Sequence, residues 1–426
     1  MTAVLLTLLF ALLGLGVPIF MTLVIPSAVA ITESGIDPMV IVQRMVAGID
    51  KFSIMAVPFF MYCADIMSAG KIGKRLVNFS KAFIGHLPGG LAIATIVACM
   101  IFGAISGAGT AAVVAVGGLT FSLMRAGKYD ESYASGLILT SSTLAMLIPP
   151  SIAYVLYSNI TGDSIQILLM SGLQAGVIFG LALCVFSFAY AKIKKLPLLP
   201  KASWKERTVA LKEALLSLGM IVIILGGIYG GLFTATEAAA VACVYAIFVE
   251  VVIYRSIGLK KLFELSVRSA QTIAMLMILI AAGSAISWVM TVMQIPQQLV
   301  ALLDEATPIV VLLVINMLFL IAGMFVDPNS AIIVLTPLVF PVAKSTGIDS
   351  IHLATTIVVN LSIGMLTPPF GLNIFVGTSV FKKNYGEIVR GIMPFIAISL
   401  VLLVFFMLIP GMSTALPSWL LGYRPR

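Results

Sequence analysis

The chain has 426 residues, 61% of them hydrophobic and only 10% charged, with a formal net charge of +8. Its mean hydropathy is +1.15, and apolar runs of ~18 residues or more recur along its whole length, so the composition specifies a polytopic helical membrane protein. It excludes a transmembrane β-barrel, whose strands alternate over ~10 residues, and it leaves no stretch for a separate soluble domain.

The first apolar segment, Ala3 to Ile31, lacks a basic leader and is expected to be a retained span rather than a cleaved signal. Lys and Arg cluster at Lys71–Lys81, Arg125–Lys128, Lys192–Lys212, Arg255–Arg268 and Lys382–Arg390, and the segment from Trp288 to Pro341 has none. Short basic clusters between apolar runs read as orientation signals rather than a nucleic-acid surface. With the clusters cytoplasmic, span 3–31 goes out, 32–51 lies outside, and 52–69 returns. Segment 88–124 begins and ends beside basic clusters. It is therefore expected to be a hairpin entering from the inside, with its tip at Ser106-Gly107-Ala108-Gly109-Thr110. Segment 132–160 goes out and 165–191 returns. Segments 214–232, 237–254 and 269–293 cross in turn. Segment 308–343 is expected to be a second hairpin, entering from outside, with its tip at Val326-Asp327-Pro328-Asn329-Ser330. Segment 351–381 comes in and 391–410 goes out. The sum is nine crossings and two hairpins. Two amphipathic stretches, Lys71–Phe83 and Leu259–Val267, are expected in the interface. The four cysteines (Cys63, Cys99, Cys184, Cys243) all fall in apolar segments and read as small hydrophobes, not as a disulfide or metal framework.

Two of these segments carry adjacent prolines, Pro149-Pro150 and Pro368-Pro369. Proline removes a backbone donor and clashes with the preceding turn. Each pair therefore interrupts a helix at membrane depth, where free carbonyls are tolerated only if they line a cavity or bind something. The pairs are 219 residues apart, and the same shift brings Phe121 onto Phe340, Asp130 onto Asp349 and Met146 onto Met365. It also lays the first hairpin tip on Asp327-Pro328-Asn329. Hairpin and broken helix thus recur at one spacing, with opposite orientation. The fold class expected is all-α, with two inverted-topology repeats, each holding a re-entrant hairpin and a Pro-Pro-broken helix. That symmetry gives a secondary transporter alternating access, because either face can open by exchanging equivalent conformations. The repeats are placed at 1–192 and 214–426, joined by a basic cytoplasmic linker over 193–213.

A helix that stops in the membrane presents carbonyls at one end and amides at the next. Carbonyls of Ala145, Ile148 and Pro150, with the hydroxyl of Ser106, form one candidate cation cage. Carbonyls of Gly364, Thr367 and Pro369 or Phe370 form the second, with Gly323 contributing. Oxygen ligands without a carboxylate cluster suit Na⁺ better than a divalent ion. The amide-rich ends beside Ser151, Gly371 and Asn373 would attract an anionic solute group. Gly107 and Thr110 at the first tip, and Asp327 and Asn329 at the second, are further candidates for the solute. Each has a plainer alternative. Ser106 can bond back to its own chain, Gly107 can serve only a tight turn, and Asp327 can cap the helix that follows it. Glu237 is a carboxylate at the membrane edge and so a functional candidate, or equally a first-turn acid of its helix. Asp65 is similar. Arg125 and Lys128 read as topology signals.

Gly16-Val17-Pro18, Ser106 to Ala111, Pro149-Pro150-Ser151, Thr236-Glu237-Ala238-Ala239, Gly323 to Pro328 and Thr367-Pro368-Pro369-Phe370-Gly371 together resemble the large membrane subunit of TRAP (tripartite ATP-independent periplasmic) transporters. The resemblance spans essentially the whole chain. It implies a multi-pass protein of the bacterial inner membrane and Na⁺-driven import of an organic acid. It also implies an elevator in which hairpins and broken helices move against a scaffold. Two protein partners are implied: a small four-helix membrane subunit, expected as a separate polypeptide, and a periplasmic binding protein that delivers the solute. Beside these stand membrane lipid and no nucleic acid. No cofactor is expected, only the coupling ion, with at least two Na⁺ sites. A sialic acid and a C4-dicarboxylate both fit. The absence of a converging Arg/Lys pair favours the former.

The nearest rival is a stand-alone Na⁺/carboxylate symporter of the same architecture. A membrane enzyme would need a nucleophile and base or a metal cluster at depth, and the only two histidines, His86 and His352, lie near segment ends. No phosphate-binding Gly-x-x-x-x-Gly-Lys-Ser/Thr loop is present, so ATP does not supply the drive.

Overall fold

The computed structural model describes residues 2–295, 297–298 and 306–425, and among these every regular element is helical. The first segment is two helices, α1 (Thr2–Gly14) and α2 (Ile19–Glu33), not the single span expected over 3–31. Gly16 stands at φ +74° and Pro18 follows it, so the ladder of α1 cannot run on. The stretch 32–51, expected to lie outside, holds α3 (Met39–Ile49), and α4 (Ala56–Ala69) follows. The amphipathic helix α5 (Ile72–Ile84) buries Ile72, Leu76, Val77 and Ser80. It packs on protein, against α6 and α11, and so does more than float in the interface.

The first hairpin is α6 (Gly90–Ser106) and α7 (Gly109–Ala126), the latter with a π-turn over Val113–Gly117. The first broken helix is α8 (Glu131–Leu147) and α9 (Ile152–Thr161), followed by α10 (Ile165–Ile193). Next come α11 (Trp204–Tyr229), α12 (Ala235–Ile253) and α13 (Leu259–Val292). Ser203 and Glu206 form a reciprocal capping box that starts α11 at Trp204, so the end of the basic linker over 193–213 is helical. The stretch Leu259–Val267 is the first part of α13, which runs unbroken for 34 residues. The second hairpin is α14 (Pro308–Phe325) and α15 (Pro328–Ser345), and the second broken helix is α16 (Ser350–Gly364) and α17 (Leu372–Phe381). Helix α18 (Tyr385–Leu408) is followed by α19 (Gly411–Leu421), which the hydropathy pattern did not announce.

Among the described residues nine helices are long and apolar enough to cross a membrane. Two of them, Gly109–Ala126 and Pro308–Phe325, are hairpin legs, so that number does not count crossings.

The repeat is visible in the details of the chain. The N-cap Asp130 accepts from the Tyr133 amide, and Asp349, 219 residues later, accepts from the His352 amide. Both Pro-Pro bonds are cis. The halves are also exchanged: α9 packs on α15 of the second hairpin, and α17 packs on α7 of the first. Phe340 meets Tyr157 edge-on at 6.3 Å, while its repeat mate Phe121 stacks on Phe381 at 4.7 Å. These are the contacts of two inverted-topology repeats.

Lipid offers helices no hydrophobic reason to associate, so close backbone approach matters. The most buried element, α8–α9, is buried over its whole apolar window. It meets α18 through facing glycines: a Cβ on Gly136 would lie 2.0 Å from the Gly391 carbonyl oxygen. A buried carboxylate fixes the other side of the molecule. Glu250 of α12 is fully buried and accepts from the amides of Lys71 at 3.1 Å and Ile72 at 3.3 Å, and from the Ser256 hydroxyl. It satisfies the otherwise open N-terminus of α5 with a negative charge. Nothing in the sequence singled it out.

Candidate functional site

The two hairpin tips, α4 and α13 face one cavity of about 600 Å³. The first tip contributes Gly107, Ala108, Gly109 and Thr110, and the second Asp327, Pro328 and Asn329. Ile152, Met365, Leu372 and Val376 close it from the broken helices. The rest of the wall includes Asp65 and Ser68 from α4, with Leu265, Arg268 and Thr272 from α13. Asp65 is held by the Ser269 hydroxyl at 2.5 Å. Arg268 is exposed and has no ion-pair partner among the described residues. Sequence reasoning missed Arg268 because it sits at the end of a basic cluster taken as an orientation signal. Its three-residue spacing from Leu265 and four-residue spacing to Thr272 was the available clue, since it puts all three on one helix face.

The tips are pressed against the breaks. A Cβ on Gly107, which stands at φ +62°, would lie 2.1 Å from the Pro150 carbonyl oxygen. In the second repeat a Cβ on Gly364 would lie 2.7 Å from the Gly323 Cα. Pro149 and Pro150 have no N–H, so the carbonyls of Ala145 and Met146 lose their helical donors. The Ser151 hydroxyl donates to Met146 at 2.5 Å, whereas no backbone donor reaches Ala145. Ile148 and Pro150 likewise receive no inter-element backbone bond. Ser106 is buried, and its oxygen accepts from the Ala108 amide at 3.4 Å. In the second break the Gly364 carbonyl accepts from the Thr367 amide at 3.0 Å, and that of Met365 from the Asn373 amide at 3.1 Å. The Thr367 hydroxyl donates to Ile363 at 2.8 Å, leaving its lone pairs unused. Phe370 is 54% exposed and rests against Phe325.

The structure brings Gly107, Thr110, Asp327 and Asn329 to the cavity, and leaves Ser151, Gly371 and Asn373 behind its wall. Asn373 is fully buried and bridges the repeats, donating to Ser142 at 3.1 Å. Asp327 lines the cavity and also caps α15, accepting from the amides of Asn329 and Ser330. Glu237 lies apart. It is exposed and forms a capping box with Thr234, accepting from its amide and hydroxyl at 2.8 Å. The first-turn reading therefore describes its contacts. Where the first hairpin meets the broken helices, Glu131 pairs with Arg125 at 3.0 Å and Lys383 at 2.6 Å, and Lys383 also pairs with Glu387. Glu131, and then Glu387, hold the Lys383 ammonium above its ordinary value. The pairs are exposed and worth little individually, but they join the first hairpin to both broken helices.

A family model described as "Tripartite ATP-independent periplasmic transporter, DctM component" matches residues 6–412. The C4-dicarboxylate TRAP transporter large permease protein DctM of Pseudomonas aeruginosa is 41% identical, over 87% of this chain and 87% of that one. The ectoine/5-hydroxyectoine large permease protein UehC of Ruegeria pomeroyi is 43% identical, covering 86% of each. The sialic acid large permease protein SiaM of Vibrio cholerae is 36% identical, covering 89% of this chain and 90% of that one. The crystal structure of the YdaH transporter of Alcanivorax borkumensis shares the fold, with a TM-score of 0.60 at 13% identity, covering 89% of this chain and 88% of that one. With its broken helices, paired hairpins and shared cavity, the chain belongs to the DctM component family of tripartite ATP-independent periplasmic transporters, as a multi-pass large permease subunit.

Proposed function

We propose that this subunit imports an organic acid across the bacterial inner membrane, driven by Na⁺, by an elevator movement. The observation that carries this is the cavity in which both hairpin tips face a lone scaffold guanidinium, Arg268. A guanidinium matches a carboxylate in shape and charge, and the backbone, hydroxyl and amide groups of the tips suit the rest of a polar solute, with Asp327 engaged in capping α15. One such cation favours a solute recognised through a single carboxylate, the pattern of a sialic acid rather than of a C4-dicarboxylate.

The Ala145, Ile148 and Pro150 carbonyls with Ser106 form the better-supported Na⁺ cage, since those three carbonyl oxygens receive no backbone donor. Gly364, Thr367 and Phe370, beside Gly323, form the second. The moving body is α6–α10 with α14–α19, and the scaffold is α1–α4 with α11–α13. Arg268 belongs to a basic cluster, so the cavity opens toward the cytoplasm and this conformer faces inward. The partners are a small membrane subunit on the scaffold and a periplasmic binding protein.

Reconstitution tests all of this. Uptake of a radiolabelled carboxylate into liposomes should require the small subunit, the binding protein and a Na⁺ gradient. Uptake by this chain alone would favour the stand-alone symporter, and uptake indifferent to Na⁺ would end the coupling claim.

A further inference from the structure

A second polar cavity, of about 300 Å³, lies at the far end of α13. Its walls include Arg44 and Lys51 from the α3 region, Ser284, Ser287 and Trp288 from α13, and Asn159 from α9. No carboxylate lines it, and neither cation has an ion-pair partner among the described residues. The Arg44 guanidinium lies 4.8 Å from the centre of the Trp288 ring. Lys51 donates to the Asn159 carbonyl at 3.5 Å, a long bond that crosses from scaffold to moving body. The Asn159 side-chain oxygen is buried without a partner.

The two cavities share one helix face. Leu265, Arg268 and Thr272 line the first, and Ile280, Gly283, Ser287 and Thr291 line the second, so steps of three and four residues join them into a single stripe. From Arg268 to Ser287 the stripe runs ~28 Å at 1.5 Å per residue. It joins a cavity that holds one cation beside Asp65 and Asp327 to a cavity that holds two cations and no carboxylate.

We propose that the cavity around Arg44 and Lys51 is an outer binding site for a carboxylate, occupied by the arriving solute before it reaches the hairpin tips. The identity of the ligand class rests on the organic-acid reading above. Two cations and four hydroxyl or amide groups in a recess match a carboxylate and its polar neighbours. Binding draws Lys51 away from the Asn159 carbonyl, and so frees the moving body from the outer scaffold at the moment solute arrives.

Trp288 is the reporter. The other two tryptophans, Trp204 and Trp419, are 75% and 80% exposed, so the double variant Trp204→Phe/Trp419→Phe leaves one emitter in the cavity. Sodium N-acetylneuraminate and sodium succinate, titrated at constant ionic strength against sodium chloride, should change its fluorescence saturably, and chloride should not. Lys51→Gln, which spares the Arg44–Trp288 contact, should raise the half-saturation at least about tenfold, as loss of a charge-assisted bond does. In uptake it should raise KM. No saturable change with either acid, or the same change with chloride, would overturn the proposal. So would the change arising from phosphatidylglycerol alone in place of phosphatidylcholine, which would make the ligand a lipid headgroup. The titration needs no transport, so it stands apart from any failure of Na⁺ coupling.

Discussion

The two proline breaks share a backbone plan and differ in their surroundings. From Ser141 to Ser151 every residue of the first is buried, whereas in the second Thr367 and Pro368 are half-buried and Pro369 and Phe370 exposed. The carbonyl that each second proline deprives of its donor, Met146 or Met365, is satisfied by different chemistry: a serine hydroxyl in one, a backbone amide in the other. The carbonyl deprived by each first proline has no replacement donor at Ala145, but takes the Thr367 amide at Gly364. Sequence symmetry thus fixes where the chain breaks, and the local environment decides which oxygens stay free. A cation cage needs free oxygens, so the repeats are not equivalent as ion sites.

The largest effect is expected where the first break has no room. Gly107→Ala places a methyl group 2.1 Å from the Pro150 oxygen at a positive φ. Gly371→Ala meets the Met365 oxygen at 2.7 Å beside an exposed strip. Uptake should fall more than about tenfold in the first variant, a cost of roughly 1.4 kcal/mol or more, and about threefold in the second. Equal losses would mean that burial does not distinguish the breaks.

A smaller and more specific effect separates them chemically. Pro149→Ala restores an N–H that can bond the empty Ala145 carbonyl. Pro368→Ala restores one opposite a Gly364 carbonyl that is already engaged. A net hydrogen bond is worth about 1 kcal/mol. The Na⁺ concentration for half-maximal uptake should therefore rise about fivefold in Pro149→Ala and by less than about twofold in Pro368→Ala. A larger rise in the second would move the working cage to the second repeat. In the same assay Thr367→Ala should raise the Na⁺ requirement and Arg268→Gln the solute KM. Either exchanged result would reassign that residue.

Much of this plan was legible in the sequence, and the reason is physical. In a membrane a broken helix and a hairpin tip leave few residue choices, so Pro149-Pro150 and Ser106 to Thr110 could be placed from the sequence, and the repeat shift paired Asp130 with Asp349 without showing that both are N-caps. Span ends that depend on local capping were not legible: the Gly16–Pro18 break was taken as part of one span, and Ser203 with Glu206 extends α11 backward into a supposed linker. Nor were the partners of long side chains. Arg268 and Glu250 owe their roles to what lies across from them, the hairpin tips for one and the amides of Lys71 and Ile72 for the other. No pattern along one chain reports that.

The smallest expected effect is at Glu237, which stands outside both breaks. Its carboxylate accepts from the Thr234 amide and hydroxyl, in a capping box on an exposed turn. Glu237→Gln keeps an acceptor in the same place and loses only the charge near the helix N-terminus, a small effect at an exposed turn. The melting temperature of the purified protein should fall slightly, while the KM for solute and the Na⁺ requirement stay unchanged. A shift in either transport constant would show that the carboxylate touches an ion or solute during the cycle, and would add a site that neither break contains.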